Sequence, residues 1–301
     1  MVKKFLNYVE IRTKITSTIT FAMTIGFLLY QGETLDWKRT LVFFLSMFFF
    51  DLTTTAINNY IDTKDKENAQ VLDFDRRTSL IIIYCLFAVS TVLGLFLAYL
   101  SDIVILAAGG ICFLCGVLYT YGPVPISRQP LGEILSGFFY GVMIPFILMY
   151  INTPAGTFLS YQINLQTISL EFQVMPMITL FLFSVIPFCT TANIMLANNI
   201  CDMEKDIKVR RFTLPYYIGE KALSLFAGLY YATYAAVVIM VILKILSPIC
   251  LLSLVSIIPV QKNIKLFFEK QDKAVTFVCA IKNFVLIMGT NTIVIFLSLF
   301  F

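Results

Sequence analysis

Two copies of one pattern concentrate oxygen donors in this chain: Asn58-Asn59-Tyr60-Ile61-Asp62 and Asn198-Asn199-Ile200-Cys201-Asp202. Given the Asn and Asp content, Asn-Asn-x-x-Asp is expected on the order of 0.02 times by chance, so two copies mean more than either alone. Both are expected to hold one ligand. The chain contains no histidine, which removes the usual general base and the commonest transition-metal ligand. Carboxylates, amides, Lys, Arg and Tyr remain to do any chemistry, and oxygen donors suit Mg²⁺ or another hard cation. If both patterns are helical, Asn58 and Asp62 fall on one face at i, i+4, as do Asn198, Asp202 and Asp206. Two such columns facing each other make a negative site stable only with cations bound, because close carboxylates otherwise raise one another's pKa. Mg²⁺ commonly joins carboxylates to substrate phosphates. The columns therefore suggest a diphosphate brought in by metal.

The elements that must position these residues are membrane helices. Of 301 residues, 59% are hydrophobic and 13% charged, with a mean hydropathy of +0.86, against a soluble average of about 25% charged. A requirement of roughly 20 apolar residues per span predicts nine, near 13–31, 39–60, 79–100, 103–121, 131–151, 174–199, 222–245, 247–260 and 275–299. Of the 22 basic residues, 18 fall in the N-terminal segment or the loops after the second, fourth, sixth and eighth spans. The positive-inside rule then puts the N-terminus in the cytoplasm and the C-terminus outside. The start lacks a signal-peptide pattern, so the first span is expected to be retained. The expected fold is all-α: one integral membrane domain over 1–301, nine helices bundled around a central cavity, with a site opening toward the cytoplasm.

That topology brings both patterns to one membrane face. The second span delivers Asn58, Asn59 and Asp62, followed by Asp65, Glu67, Asn68, Asp73 and Asp75; the sixth delivers Asn198, Asn199, Asp202, Glu204 and Asp206. The fourth ends in Tyr119-Thr120-Tyr121-Gly122-Pro123-Val124-Pro125, where Gly and Pro stop a helix. Lys205, Lys208, Arg210 and Arg211 follow the second pattern, and Arg12 and Lys14 lie at the cytoplasmic mouth of the first span. Many of these satisfy the positive-inside rule alone, but Arg12 and Arg211 can grip phosphate through two hydrogen bonds. Asp51, two turns before Asn58, either lines a pocket or pairs with Lys282 of the ninth span. The seven cysteines all fall in or at the end of apolar runs. They read as packing residues, Cys112-x-x-Cys115 included.

At these residues the chain resembles the UbiA superfamily of intramembrane aromatic prenyltransferases, marked by two Asp-rich motifs at the cytoplasmic ends of the second and sixth of nine helices. Within it, the chain is most similar to the 1,4-dihydroxy-2-naphthoate polyprenyltransferases of menaquinone synthesis. Asn58 to Asp62 resembles that subfamily's Asn-Asp-Tyr-x-Asp. Tyr119 to Pro123 with Leu131-Gly132-Glu133 resembles its Tyr-Thr-Gly-Gly-Pro and Leu-Gly-Glu stretch. Asn198 through Asp206 to Thr213-Leu214 resembles its Asn-Asn-x-x-Asp-x-Glu-x-Asp and Lys-Arg-Thr-Leu run. The chain departs in carrying Asn59 where the pattern has Asp, and Arg210-Arg211-Phe212 where it has Gly-Lys-Arg.

The expected function is transfer of a polyprenyl chain from polyprenyl diphosphate to an aromatic ring. Mg²⁺ would be held by Asn58, Asp62, Asn198, Asp202 and Asp206, with Asp62, Asp202, Asp206 and Arg211 central to catalysis. Arg12, Lys14, Asn59, Asp65, Tyr119, Tyr121, Lys205 and Asn199 are expected to touch substrate. The resemblance implies 1,4-dihydroxy-2-naphthoate as acceptor, losing its carboxyl group as the prenyl chain attaches and leading to menaquinone. Homogentisate, 4-hydroxybenzoate or a lipid alcohol stand as alternative acceptors. A cation-coupled transporter is the alternative from another class, but its acids belong near the bilayer midplane, whereas these cluster at one face beside basic residues. A multi-pass protein of the plasma membrane, embedded in the lipid bilayer and with no nucleic-acid partner, is expected.

Overall fold

The computed structural model describes residues 1–63, 74–121, 125–164 and 166–301; Asp65, Glu67, Asn68, Asp73 and the Gly122-Pro123 part of the loop lie outside the described residues. The chain divides into two compact units, Met1–Thr18 with Asp36–Ser127, and Ile19–Leu35 with Arg128–Phe301. The first boundary falls inside a helix. Its elements begin with α1 (Val2–Tyr8) and, after a 3₁₀ turn at Ile11–Lys14, α2 (Ile15–Tyr30), which runs from one unit into the other.

In the first unit, α3 (Trp37–Asp62) packs along α4 (Arg76–Leu100), and α5 (Ile103–Thr120) touches both. Each of these helices opens on an aspartate whose carboxylate accepts from first-turn amides, Asp36 from Arg39, Asp75 from Thr78, and Asp102 from Val104 and Ile105, satisfying donors that have no partner inside a helix. The α1 end is fastened to α3 by a small core of Tyr8, Val9, Leu52, Ala56, Ile83 and Leu86. Tyr8 Oη donates to the Ala56 carbonyl at 3.0 Å.

In the second unit, α6 (Gly132–Phe138) and α7 (Ile144–Asn152) form one continuous stretch interrupted by a π-helical turn at Phe139–Met143. A hairpin of β1 (Leu159–Ile163) and β2 (Ile168–Phe172), with Leu159 opposite Phe172, precedes α8 (Val174–Lys208). Then come α9 (Leu214–Ile218), α10 (Lys221–Ile242), a 3₁₀ segment Pro248–Ser256 leading into α11 (Ile257–Glu269), and α12 (Val278–Leu297). The centre of this unit is α8, which packs against α6, α10 and α12. Its fit to α6 depends on glycine. A Cβ on Gly137 would lie 3.0 Å from Phe188, and one on Gly141 would collide with the Phe188 backbone. Two small residues four apart let backbones approach closely, as is common between membrane helices. Glu133 lies one helical step earlier on the same stripe.

Among the described residues, seven helices are long and apolar enough to cross a membrane: Trp37–Ile61, Arg76–Leu100, Gly132–Asn152, Val174–Lys208, Lys221–Ile242, Pro248–Glu269 and Val278–Phe300. The chain is a multi-pass membrane protein. Seven of the nine expected spans are among these, and the eighth of the nine is longer than expected. The stretches at 13–31 and 103–121 are helical but short: the 16 residues of α2 rise about 24 Å, less than a hydrocarbon core of about 30 Å. The eighth span extends to Glu269, so Lys262 and Lys265 sit on its helix and not in a loop. The all-helical character expected holds for the described residues apart from the β1–β2 hairpin, whose alternating Leu159, Tyr161, Ile168 and Leu170 suit a strand period.

Candidate active site

The length of α8 creates the site. Its 35 residues rise about 52 Å, well beyond a hydrocarbon core of about 30 Å. The apolar part can therefore cross the bilayer while the last turns, from Asn198, continue as helix in a polar environment. Asn198, Asp202 and Asp206 then lie one turn apart on one stripe. Their side chains bear this out: Lys273 Nζ donates to both Asn198 Oδ1 and Asp202 Oδ2, the latter at 2.6 Å. A single cation thus already sits on two of the expected metal donors. Asp206, one turn on, is buried, and its Oδ2 lies 3.8 Å from Arg211 Nε.

Arg211 reaches Asp206 because α8 stops abruptly. Arg210 adopts φ 56°, a left-handed conformation that ends the helix. The amides of Val209 and Arg211 both donate to the Asp206 carbonyl, at 3.1 and 2.8 Å, and fold the chain back. Phe212 N donates to Arg128 O at 3.2 Å, which fixes the direction in which the chain leaves. Lys205 is exposed.

Asn199 does not share the face of Asn198, since adjacent helical residues point about 100° apart. It is buried, and its Nδ2 donates to Glu133 Oε1 at 2.9 Å. Among the described residues, Glu133 Oε2 and Asn199 Oδ1 are buried without a hydrogen-bond partner. The expectation that Asn199 touches substrate is therefore corrected: the structure makes it the link between α8 and α6.

In the first unit, Asn58 and Asp62 occupy the last turns of α3, again four residues apart. Asn59 is turned to the N-terminal segment, where its Nδ2 donates to Tyr8 O at 2.8 Å and Glu10 Oε1 at 3.3 Å. The start of α4 closes on this end of α3 through Arg76, which stacks over the Tyr60 ring at 5.0 Å and donates to Thr63 O at 3.1 Å. Tyr119 is half-buried at the end of α5 and Tyr121 is exposed; Arg12 is exposed in the 3₁₀ turn.

Lys14 has a different occupation from the phosphate contact expected of it. Its ammonium donates to Asp51 Oδ1 at 2.8 Å, Asp51 O at 3.0 Å and Thr55 Oγ1 at 2.5 Å. An ammonium has three donors, and all are engaged. The partner expected for Asp51, Lys282, is corrected to Lys14. Ser17 Oγ donates to Asp51 Oδ2 at 2.7 Å, completing the carboxylate.

Two residues at the site were not singled out by sequence. Glu133 was visible only within a resembling segment. Lys273 stood among the many basic residues of one side, and nothing in Lys270-Gln271-Asp272-Lys273 marks which cation faces Asp202.

Among the described residues no three His, Cys, Asp or Glu side chains converge on a point. The donor set is nonetheless suited to Mg²⁺: hard amide and carboxylate oxygens from Asn198 and Asp202 already meet on a bound ammonium, and Mg²⁺ ordinarily completes its shell with water and substrate oxygens.

Comparison with known proteins places the chain among relatives of known kind. A 1,4-dihydroxy-2-naphthoate octaprenyltransferase of Bacillus subtilis (strain 168) is 27% identical over 226 residues, 70% of this chain and 66% of that one, so the match spans just under two thirds of the relative's length. A digeranylgeranylglyceryl phosphate synthase structure superposes with a TM-score of 0.68 at 19% identity, covering 99% of this chain and 98% of that chain. An apo UbiA homologue from Aeropyrum pernix K1 gives 0.66 at 14% identity over 95% and 97%. One from Archaeoglobus fulgidus bound to DMAPP and Mg²⁺ gives 0.57 at 14% identity over 97% and 99%. These structures share the fold. The model of the UbiA prenyltransferase family matches residues 19–285, which is most of the chain and includes both Asn-Asn-x-x-Asp patterns, and the chain belongs to that family.

Proposed function

We propose that this protein transfers a polyprenyl chain from polyprenyl diphosphate to 1,4-dihydroxy-2-naphthoate, a step toward menaquinone. The observation that carries the reading is the convergence of Asn198 and Asp202 on one cation, with Asp206 next along the same helix and Arg211 beside it from the turn that ends that helix. Asn198, Asp202 and Asp206 are assigned to hold Mg²⁺ from α8, and Asn58 and Asp62 to do so from α3. Bound there, Mg²⁺ would supply the charge that stabilises diphosphate as the allylic carbon–oxygen bond breaks.

The chain's own residues do the rest. Arg211 and Arg12 neutralise the departing diphosphate, and Lys205 adds positive charge at the mouth. Tyr119 and Tyr121 offer ring faces to the allylic cation. Asp65 is assigned to orient the diphosphate end, while Asn59 holds the N-terminal segment against α3. The apolar span surroundings exclude water, which would otherwise capture the cation. The new carbon–carbon bond forms at the ring carbon bearing the carboxyl group, which leaves. The naphthoate acceptor is supported by the Bacillus subtilis relative and by the Asn198 to Leu214 match. The site is assigned to the cytoplasmic side of the plasma membrane on the bias of basic residues.

Purified protein incubated with labelled polyprenyl diphosphate and dihydroxynaphthoate should yield a prenylated naphthoquinol, and EDTA should stop the reaction. Diphosphate release without that product would refute the acceptor; turnover that survives chelation would refute the metal role.

A further inference from the structure

The loop between α11 and α12 delivers Lys273 to the column, and it is built to do so. Asp272 Oδ1 accepts from the amides of Ala274 and Val275, at 2.9 and 3.1 Å. Its carbonyl accepts from Thr276 and Phe277, at 2.9 and 3.0 Å. Thr276 Oγ1 donates back to Lys270 O at 2.8 Å, and Lys270 Nζ pairs with Asp272 Oδ2 at 3.0 Å. These bonds close a tight turn with Lys273 at its tip. The lysine stem passes the Phe277 ring, with Nζ 4.8 Å from the centroid, and the ammonium lands on Asn198 and Asp202. A cation so held occupies two donors assigned to metal, and it cannot keep them when the metal is bound. Its tether is short. An ammonium displaced from Asp202 stays beside the site, where the negative charge next available is the diphosphate carried by the metal.

We infer that Lys273 is a diphosphate-binding residue that rests on the metal donors until metal and substrate arrive, when it transfers its contact from Asp202 to a phosphate oxygen. This rests on the assignment of Asn198 and Asp202 as metal donors made above. Two effects of opposite sign follow from one substitution. Lys273→Met removes the competitor for Asp202. Because the pair is partly exposed, 43% and 24% at the two side chains, Mn²⁺ should then bind only about two- to fivefold more tightly. The same change removes a charged hydrogen-bond donor from the bound diphosphate and should weaken it about tenfold or more.

The test uses the full-length protein in detergent micelles. Mn²⁺ binding is read by electron paramagnetic resonance without substrate, and inorganic pyrophosphate binding by calorimetry at saturating Mg²⁺, for the parent, Lys273→Met, Lys273→Arg and Asp202→Ala. Tighter Mn²⁺ with weaker pyrophosphate in Lys273→Met, and pyrophosphate affinity largely kept in Lys273→Arg, is the expected result. Unchanged pyrophosphate affinity in Lys273→Met, or an equal loss in Lys273→Arg, would overturn the role of the charge while leaving the metal site standing. Parent-like Mn²⁺ binding by Asp202→Ala would instead overturn the metal assignment, and the Lys273 inference with it.

Discussion

Lys14 and Asp51 allow a structural role to be separated from a substrate role by stability alone. Their side chains are 4% and 5% exposed, so solvent does little to screen them. Lys14→Met leaves the Asp51 carboxylate buried with Ser17 Oγ as its remaining side-chain donor of those described above. Removing one partner of a buried pair costs about 3–5 kcal/mol, because the other charge is left uncompensated. Asp51→Asn is milder: the ammonium keeps an amide oxygen, the residue-51 carbonyl and Thr55 Oγ1 as acceptors, and a cost of about 1–3 kcal/mol is expected. Replacing both, as Lys14→Met with Asp51→Leu, leaves each of these two hydroxyls a backbone acceptor, the residue-14 carbonyl 3.1 Å from Ser17 Oγ and the residue-51 carbonyl 3.2 Å from Thr55 Oγ1. The double variant should therefore return to within about 1 kcal/mol of the parent. Reversible SDS-induced unfolding in micelles, followed by circular dichroism, measures all four proteins of the cycle. A Lys14→Met protein as stable as the parent but unable to bind inorganic pyrophosphate would refute the structural assignment and restore Lys14 to the substrate.

Asp202→Ala should abolish prenyl transfer in a protein that still elutes from size exclusion as the parent does; retained turnover would remove the metal column from the mechanism. Gly141→Ala forces a methyl into the Phe188 backbone and should lower the yield of folded protein sharply, whereas Gly109→Ala, with open space around its Cβ position, should be tolerated. Asp75 is held below the usual carboxylate range, first by the Thr78 hydroxyl and then by the Thr78 amide. A depressed folded pKa contributes stability that is present above the ordinary carboxylate range and lost as pH falls through the depressed value. The protection factor of the Thr78 amide, its exchange rate relative to free peptide at the same pH, should therefore be high at neutral pH and fall in acid, and Asp75→Asn should flatten that pH dependence.

What sequence made legible is what repeats over short distances. Asn198, Asp202 and Asp206 are three points on one helical stripe, so their spacing states their common face once the helix is granted. Span positions follow from apolar length in the same way. A hydropathy window ends the eighth span early because Lys262 and Lys265 look like loop residues there, yet on α11 they lie on a helix whose opposite positions, Val260, Ile264 and Phe267, are buried. The hairpin is not legible because Leu159–Ile163 and Ile168–Phe172 are five residues each, too short for their alternation to stand out within an apolar chain.

The contacts that decide which charges are available were not legible, because they join residues far apart in the chain. Lys14 meets Asp51 across 37 positions, and Lys273 meets Asp202 across 71. Lys14 and Lys205 look alike in sequence, as basic residues beside an expected cytoplasmic mouth, but one is buried with every donor engaged and the other is exposed. The difference lies in what packs around them: Asp51 and Thr55 stand one turn apart on α3 and present three acceptors to a lysine entering from the 3₁₀ turn. Lys273 differs again, for its turn is closed by hydrogen bonds around Asp272 and its ammonium is only partly buried. Charge count alone assigns all three lysines to one class. Burial and donor accounting divide them into a structural counter-ion, a solvated cation and a cation held in reserve on the metal donors.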